Sequence, residues 1–119
     1  MRGTVLIYRP HEPRPTVRQL ERGLTLDDLK AVIGGGHLEQ VAGFKSVAYD
    51  NVIVDCVAFC DRDGKAKGFA VNNAATNAWD RALRRTGFDG LLRANGLLAD
   101  WLAGSVVVLF GDKEFMEAL

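Results

Sequence analysis

This chain has few of the residues from which disulfide frameworks and metal sites are built. It contains two cysteines and two histidines among 119 residues. Neither pair has the C-x-x-C or H-x-x-x-H spacing that favours zinc, so we expect no metal site. Cys56 and Cys60 lie in one predicted strand, which separates their Cα atoms by roughly 13 Å at ~3.3 Å per residue. Because a disulfide needs about 7 Å or less, we expect two free, mostly buried thiols, as in a reducing compartment.

A net charge and a long apolar run are also missing. The 15 basic and 15 acidic side chains cancel, so the overall positive field typical of nucleic-acid binding is absent and we expect no nucleic-acid partner. No apolar stretch approaches the ~20 residues of a membrane span. The apolar stretch within residues 1–8 is too short for a signal peptide, whose apolar region takes about 7–15 residues. We therefore expect a cytoplasmic protein with no membrane partner.

The few prolines and many of the arginines are concentrated at the start of the chain. All three prolines fall within residues 10–15, which predicts an extended loop over residues 9–16, because proline fixes φ and lacks an amide donor. Residues 1–22 carry five arginines but only two glutamates. Two interpretations stay open: the basic end covers an acidic body in the same fold, or it contacts an acidic partner such as a host protein.

Hydrophobic periodicity and turn residues predict an alternation of strands and helices. Strands are predicted over residues 4–8, 37–44, 52–60 and 105–110, with a short one over 69–71 that closes a hairpin through a turn at 61–64. Residues 52–60 are apolar on both faces, which indicates a central strand. Gly64 is predicted to take the left-handed conformation in the turn.

Helices are predicted over residues 26–33, 74–86 and 112–119, with a helical turn over 16–22 and a partly helical segment over 91–103. Thr25 and Asp28 have the spacing of a capping box, and Gly34 is a typical helix end. The pattern predicts one α+β domain over residues 1–119, with a mixed or antiparallel sheet of about four strands packed against two to three helices. A chain of this length is expected to bury roughly two-thirds of its unfolded surface.

The most specific pattern is Cys60-x-x-x-Gly64-Lys65-x-x-Gly68, followed by Asn72-x-x-Ala75-Thr76. It resembles the domain of unknown function numbered three thousand eight hundred forty-six, a family carried mainly by phages, plasmids and their bacterial hosts. The resemblance covers roughly residues 25–112, which leaves residues 1–24 as a basic, proline-containing strand and loop. It implies a small cytoplasmic accessory protein of mobile elements, of the kind that often acts on host defence or replication, and it implies no chemistry.

The predicted helix at 74–86 offers the best place for an anionic ligand. Free amides at a helix start attract phosphate, and arginines spaced i, i+3 and i+4 present guanidinium groups on one side. Aromatic residues in a loop with Gly and Asn are the best candidates for exposure and stacking. The candidate ligand-binding residues are therefore Asn72, Asn73, Thr76, Arg81, Arg84, Arg85, Tyr49 and Phe44. The alternative is that the Asn and Thr side chains are caps, the arginines are solvated and the aromatic residues form core.

The sequence contains no complete catalytic constellation. His37 with Asp55 or Glu39 is a conceivable acid–base pair, but nothing in the sequence fixes their approach. The leading hypothesis is a non-enzymatic phage or mobile-element protein that acts against host defence, sequestering a small anionic, nucleotide-like immune signal as a homo-oligomer without a cofactor. Two alternatives stay open: an interaction module that inhibits a host defence or DNA-processing protein, and a small nucleotide-acting hydrolase.

Overall fold

A five-stranded antiparallel sheet forms the centre of the fold in the computed structural model, which describes residues 1–87, 90–91 and 99–119. The strands are β1 (Gly3–Tyr8), β2 (Thr16–Leu20), β3 (Leu38–Gln40), β4 (Ser46–Tyr49), β5 (Val52–Asp55), β6 (Val57–Asp61) and β7 (Val106–Gly111). The helices are α1 (Leu26–Ile33), α2 (Asn73–Arg85) and α3 (Lys113–Glu117). The central sheet has the order β2-β1-β7-β6-β3, and β4 and β5 form a separate hairpin. The predicted α+β class is confirmed.

Helices cover both faces of the central sheet because the central strands are apolar on both faces. In β7, Val106 and Val108 pack on the side of α2 and the β4–β5 hairpin. Val107 and Leu109 pack on the side of α1 and α3. All four side chains are fully buried, as expected for a strand enclosed between two layers.

The predicted helix over residues 26–33 is confirmed together with both of its ends. The Thr25 hydroxyl accepts a hydrogen bond from the Asp28 amide at 3.1 Å, and the Asp28 carboxylate accepts one from the Thr25 amide at 3.1 Å. This is the capping box that the spacing predicted. Gly34 ends the helix with φ of 96°, a left-handed conformation that glycine adopts without steric cost. Within the described residues, no helix is long and apolar enough to cross a membrane.

The prediction of one strand over residues 52–60 is wrong, because the chain changes sheets at Cys56. β5 belongs to the hairpin and β6 to the central sheet. The Cys56 amide still donates to the Lys45 carbonyl oxygen at 2.9 Å, which ends the hairpin ladder. Val52 and Ile53 are 59% and 51% exposed, so only the second half of the run is a covered central strand.

Two further predictions near the sheet edges are also wrong in part. Residues 16–22 do not form a helical turn; β2 pairs antiparallel with β1 there. The strand predicted over residues 37–44 is limited to Leu38–Gln40. Residues 16–22 have few apolar side chains, and the apolar residues of 37–44 alternate only in part. Long-range pairing therefore decides the conformation of both segments.

The segment after β6 also differs from its prediction. Residues 69–71 form no hairpin; Val71 makes a single bridge to Ala103. The left-handed glycine of the turn is Gly68, with φ of 75°, and not Gly64. Of the predicted helical segment 91–103, residues 92–98 lie outside the described residues, and residues 99–102 are not helical.

Candidate functional site

A cleft of about 220 Å³ opens between α2, the end of β6 and residues 100–103. Its walls combine two aromatic rings with charged side chains, and the lining residues come from four separate parts of the chain. The lining includes Glu39, Cys60, Arg62, Lys65, Trp79 and Trp101. A concave site of this kind, with aromatic walls and a few polar groups, is typical of small-molecule binding.

The turn over residues 62–68 brings the cationic side chains to the cleft. The Asp61 carboxylate accepts a hydrogen bond from the Asp63 amide at 2.8 Å, which closes the first part of the turn. Gly64 packs tightly beneath it, because a Cβ atom at this position would lie 3.0 Å from the Ala103 carbonyl oxygen. The Asp-x-Asp-Gly sequence therefore fixes the turn against residues 100–103 and places Lys65 at the cleft rim.

The two tryptophans differ in exposure and in role. Trp79 extends from α2, is 9% exposed, and donates its indole N–H to the Ala42 carbonyl oxygen at 2.9 Å. Trp101 is 38% exposed. The ammonium group of Lys65 lies 4.3 Å from the Trp101 ring centroid, a cation–π contact, and also pairs with the Asp100 carboxylate. Trp79 is thus a fixed wall, and Trp101 with Lys65 forms an accessible rim.

An ion pair between the buried Asp61 carboxylate and the 41% exposed side chain of Lys67 supports the cleft from below. The Asp61 side chain is 2% exposed, and its Oδ2 atom lies 2.6 Å from Lys67 Nζ. The hydrogen bond from Lys67 holds the pKa of Asp61 below its ordinary value, although burial opposes this. Gly36 lies directly over the pair: a Cβ atom there would be 2.1 Å from the Asp61 carboxylate. The absence of a side chain at position 36 lets the backbone pass close to the Asp61 carboxylate.

Replacing Lys67 by methionine is expected to lower the melting temperature at neutral pH, because the Asp61 carboxylate would then be buried without its cation. The depressed pKa of Asp61 stabilises the folded state above the carboxylate's unfolded pKa of about 3.9, and this stabilisation is lost as the pH falls through the folded value. The difference between wild type and Lys67→Met should therefore shrink below about pH 4. Thermal unfolding from neutral to acidic pH measures it, with the exposed Lys45→Met as control. A difference that does not depend on pH would contradict the assignment.

The thiols in and near the cleft are poor nucleophiles. Burial raises the pKa of Cys60 to about 11 and that of Cys56 to about 12, so both are protonated at neutral pH. Both cysteines are free and buried, as predicted.

The carboxylate found beside His37 is that of Asp63, with 3.4 Å between Nδ1 and Oδ2. Among the residues that the structure describes, no group of three or more His, Cys, Asp or Glu side chains is arranged to hold a metal ion.

Asn72 and Thr76, two of the predicted ligand-binding residues, are buried and hydrogen-bonded within the protein. The Asn72 side chain accepts from the Ala75 amide and donates to two backbone carbonyl groups. The Thr76 hydroxyl accepts from the Leu102 amide at 3.0 Å. Asn73 is exposed at the start of α2, beside an open cavity of about 360 Å³ that Glu12 also lines.

The three predicted arginines lie towards the other end of α2. Arg84 pairs with Asp80 at 3.0 Å, and Arg85 donates to the hydroxyl and carbonyl oxygens of Ser46. Arg81 is exposed near Tyr8, where burial raises the pKa of the tyrosine and the arginine charge opposes the rise. The 13 residues of α2 span about 20 Å, so the helix start and Arg85 cannot contact one mononucleotide together.

The two predicted aromatic residues have different environments. Phe44 is 1% exposed and belongs to the core, so the prediction that it is exposed is wrong. Tyr49 is half-buried, its hydroxyl accepts from Gln19, and its ring packs against Phe110 with 5.2 Å between centroids. Neither ring lines the cleft around Trp79 and Trp101.

Sequence reasoning overlooked the cleft because its parts come from distant segments. The only local signal was Gly64-Lys65 within the pattern that follows β6. Comparisons with known proteins add no assignment, since no protein-family model, curated protein or solved structure matches the chain. The resemblance to the phage and plasmid family therefore stays a prediction.

Proposed function

We propose that the protein binds a small nucleotide-like anion in the cleft between α2 and the 62–68 turn, and holds it without chemical change. The observation that carries the proposal is that both tryptophans of the chain line this cleft together with Arg62 and Lys65. A base stacks favourably on an aromatic ring, and a phosphate pairs with a guanidinium or ammonium group.

Both cations are accessible to an incoming phosphate. Lys65 and its partner Asp100 are 48% and 46% exposed, and a surface pair of this kind contributes only about 0–1 kcal/mol. Arg62 is exposed and has no side-chain hydrogen bond or ion pair within the described part of the chain. A phosphate can therefore replace Asp100 at Lys65 at little cost, while the Glu39 carboxylate offers an acceptor for the amino group of a base.

The cleft volume limits the size of the ligand. About 220 Å³ is below the roughly 300 Å³ at which pockets for drug-sized molecules begin. A single nucleotide with its phosphate at the rim fits this volume better than a dinucleotide does. This supports a nucleoside monophosphate, or one half of a larger signal, as the bound group.

Two groups in the cleft that could take part in hydrolysis, the Cys60 thiol and the Asp61 carboxylate, are not in a reactive state. The Cys60 thiol is protonated because burial raises its pKa. The Asp61 carboxylate is held by Lys67 and by the Asp63 amide. The protonated thiol and the hydrogen-bonded carboxylate support binding without turnover. In the mobile-element setting that the family resemblance implies, such a protein would sequester a nucleotide signal of host immunity in the host cytoplasm.

Tryptophan fluorescence tests the proposal directly, because the chain's two tryptophans both line the cleft. We expect saturable quenching by nucleoside monophosphates and much weaker quenching by nucleosides or inorganic phosphate alone. In the double variant Arg62→Ala/Lys65→Ala the Kd should rise at least about tenfold, which corresponds to ~1.4 kcal/mol, and the melting temperature should change little.

A matched triple variant, Arg81→Ala/Arg84→Ala/Arg85→Ala, separates the cleft from the arginine side of α2. We expect its Kd to equal that of the wild type. Lost binding in the triple variant with unchanged binding in the cleft variant would move the site to α2, and no saturable quenching by any nucleotide would refute the proposal. Chromatography of the recovered nucleotide checks that it is released intact.

A further inference from the structure

One strand edge of the molecule differs from the others in what it presents to solvent. Of the strands that the structure describes, four have an unpaired edge. The centre of β2 is the exposed Arg18, and the centre of β3 is the exposed Glu39. On β4, the Ser46 carbonyl oxygen accepts from Arg85 at 3.2 Å. Charged residues and covering side chains of this kind prevent pairing with another chain.

The centre of β5 has neither protection, because the one charged residue of this strand, Asp55, lies at its end. Val52 and Ile53 are 59% and 51% exposed, and within the described residues β5 pairs with β4 alone. An exposed apolar edge strand is a site for pairing with a further strand.

The hairpin turn determines which backbone groups of β5 point outwards. Asp50 and Asn51 have φ of 51° and 63°, as in a two-residue type I′ turn. Tyr49 and Val52 then form the hydrogen-bonded pair that closes the turn, and pairs of this type alternate along the ladder. The N–H and C=O groups of Ile53 therefore point away from β4, at the same position where its side chain is half exposed.

We propose that β5 pairs antiparallel with β5 of a second copy of this chain, about a two-fold axis at Ile53. In this register Ile53 lies opposite Ile53 of the other copy, and Val52 lies opposite Val54. Asp55 then faces Asn51, whose amide can donate to the carboxylate. Two hairpins join into one four-stranded sheet, an isologous contact of the kind found in two-fold dimers.

Two-fold antiparallel pairing is unfavourable at the open edges of β2 and β3. A two-fold axis at the centre of β2 would place Arg18 against Arg18, and one at the centre of β3 would place Glu39 against Glu39. Like charges directly opposite one another destabilise a strand pair. The self-complementary order of residues 51–55 thus favours a second copy over either alternative edge.

Cysteine cross-linking tests this register. Residues of a hydrogen-bonded antiparallel pair have Cα atoms about 5.5 Å apart, which lies within the range of about 4.4–6.8 Å for a disulfide. We expect Ile53→Cys to form a covalent dimer rapidly under mild oxidation. The native Cys56 and Cys60 are buried and should not contribute. Val17→Cys, at a β2 position of similar exposure (45%), is the matched control and should cross-link far more slowly.

Sedimentation equilibrium gives an independent test without oxidation. The wild type should dimerise as its concentration is raised, and Ile53→Lys should remain monomeric because its charge meets itself across the axis. Val17→Lys should dimerise like the wild type. A wild type that is monomeric up to high micromolar concentration, or equal cross-linking of Ile53→Cys and Val17→Cys, would overturn the proposal. Circular dichroism confirms that each variant is folded.

Discussion

Replacing Asn72 by alanine is expected to lower the free energy of unfolding by about 3–5 kcal/mol, because three buried polar groups lose their partners together. The Asn72 side chain is fully buried. Its Oδ1 atom accepts from the Ala75 amide at 3.1 Å and caps α2. Its Nδ2 atom donates to the carbonyl oxygens of Tyr8 and Gly104, both at 2.9 Å. One side chain thus joins the start of α2 to the end of β1 and to the residues before β7.

Urea unfolding measures the loss, and the adjacent exposed residue supplies the control. Asn73→Ala should cost less than about 1 kcal/mol, as is usual for surface substitutions. If Asn72→Ala were no more destabilising than Asn73→Ala, the three hydrogen bonds could not have the importance assigned to them.

The variant Asn72→Asp separates the helix cap from the two carbonyl contacts. Aspartate can still accept from the Ala75 amide, but an ionised carboxylate cannot donate to Tyr8 or Gly104. The two facing carbonyl oxygens should raise the folded-state pKa of this carboxyl group above its unfolded value of about 3.9. The variant should therefore be most stable relative to wild type at acid pH and should lose that stability as the pH rises through the folded pKa. Parallel urea titrations at acid and neutral pH measure this.

Asn72 and Thr76 also connect the sequence pattern to the cleft. The backbone N–H of Asn72 donates to the Leu102 carbonyl oxygen at 2.8 Å, and the Thr76 hydroxyl accepts from the backbone N–H of Leu102 at 3.0 Å. Leu102 follows Trp101, the exposed ring at the rim. The pattern Asn-x-x-Ala-Thr thus fixes a wall of the cleft from behind, and its residues support the candidate site without lining it.

Local features of the fold were predictable from the sequence because their causes are local. The capping box at Thr25 and Asp28 forms within four residues, and Gly34 ends the same helix. The strand change at Cys56 was not predictable, since alternating apolar residues do not show where a chain leaves one sheet for another. β2 was overlooked because three of its five residues are exposed and its conformation comes from pairing with β1.

The site was harder to predict than the fold because contacts distant in sequence decide it. Asn72 has the signature of a ligand-binding helix start, yet one of its partners is the Tyr8 carbonyl group, 64 residues away. In the same way, Trp79 and Trp101 are unremarkable apolar residues until the fold places them beside Lys65. Periodicity identifies which elements form, but the pairing of polar groups across elements determines which of them stay available for a ligand.

A pair of facing glycines lies beneath the buried ring of Phe115, and this packing gives the second large expected effect on stability. Gly3 of β1 lies directly opposite Gly111 of β7. A Cβ atom on Gly3 would lie 2.3 Å from the Phe115 ring, and one on Gly111 would lie 2.7 Å from the same ring and 2.5 Å from the Arg2 carbonyl oxygen. Phe115 is fully buried. The two glycines together leave the space that the Phe115 ring of α3 fills.

We expect Phe115→Ala to lower the free energy of unfolding by about 3–5 kcal/mol through loss of a buried ring, and Gly3→Ala to lower it by about 1–3 kcal/mol through overpacking. Because the alanine methyl group at position 3 would occupy space vacated by the ring, the double variant should cost less than the sum of the two by roughly 0.5–3 kcal/mol. Urea unfolding of the four proteins measures this coupling. Gly23→Ala is the control, since its Cβ would meet only Ala118 and Met1 side-chain atoms at 3.1 Å or more. Strict additivity would show that the ring does not rest on Gly3.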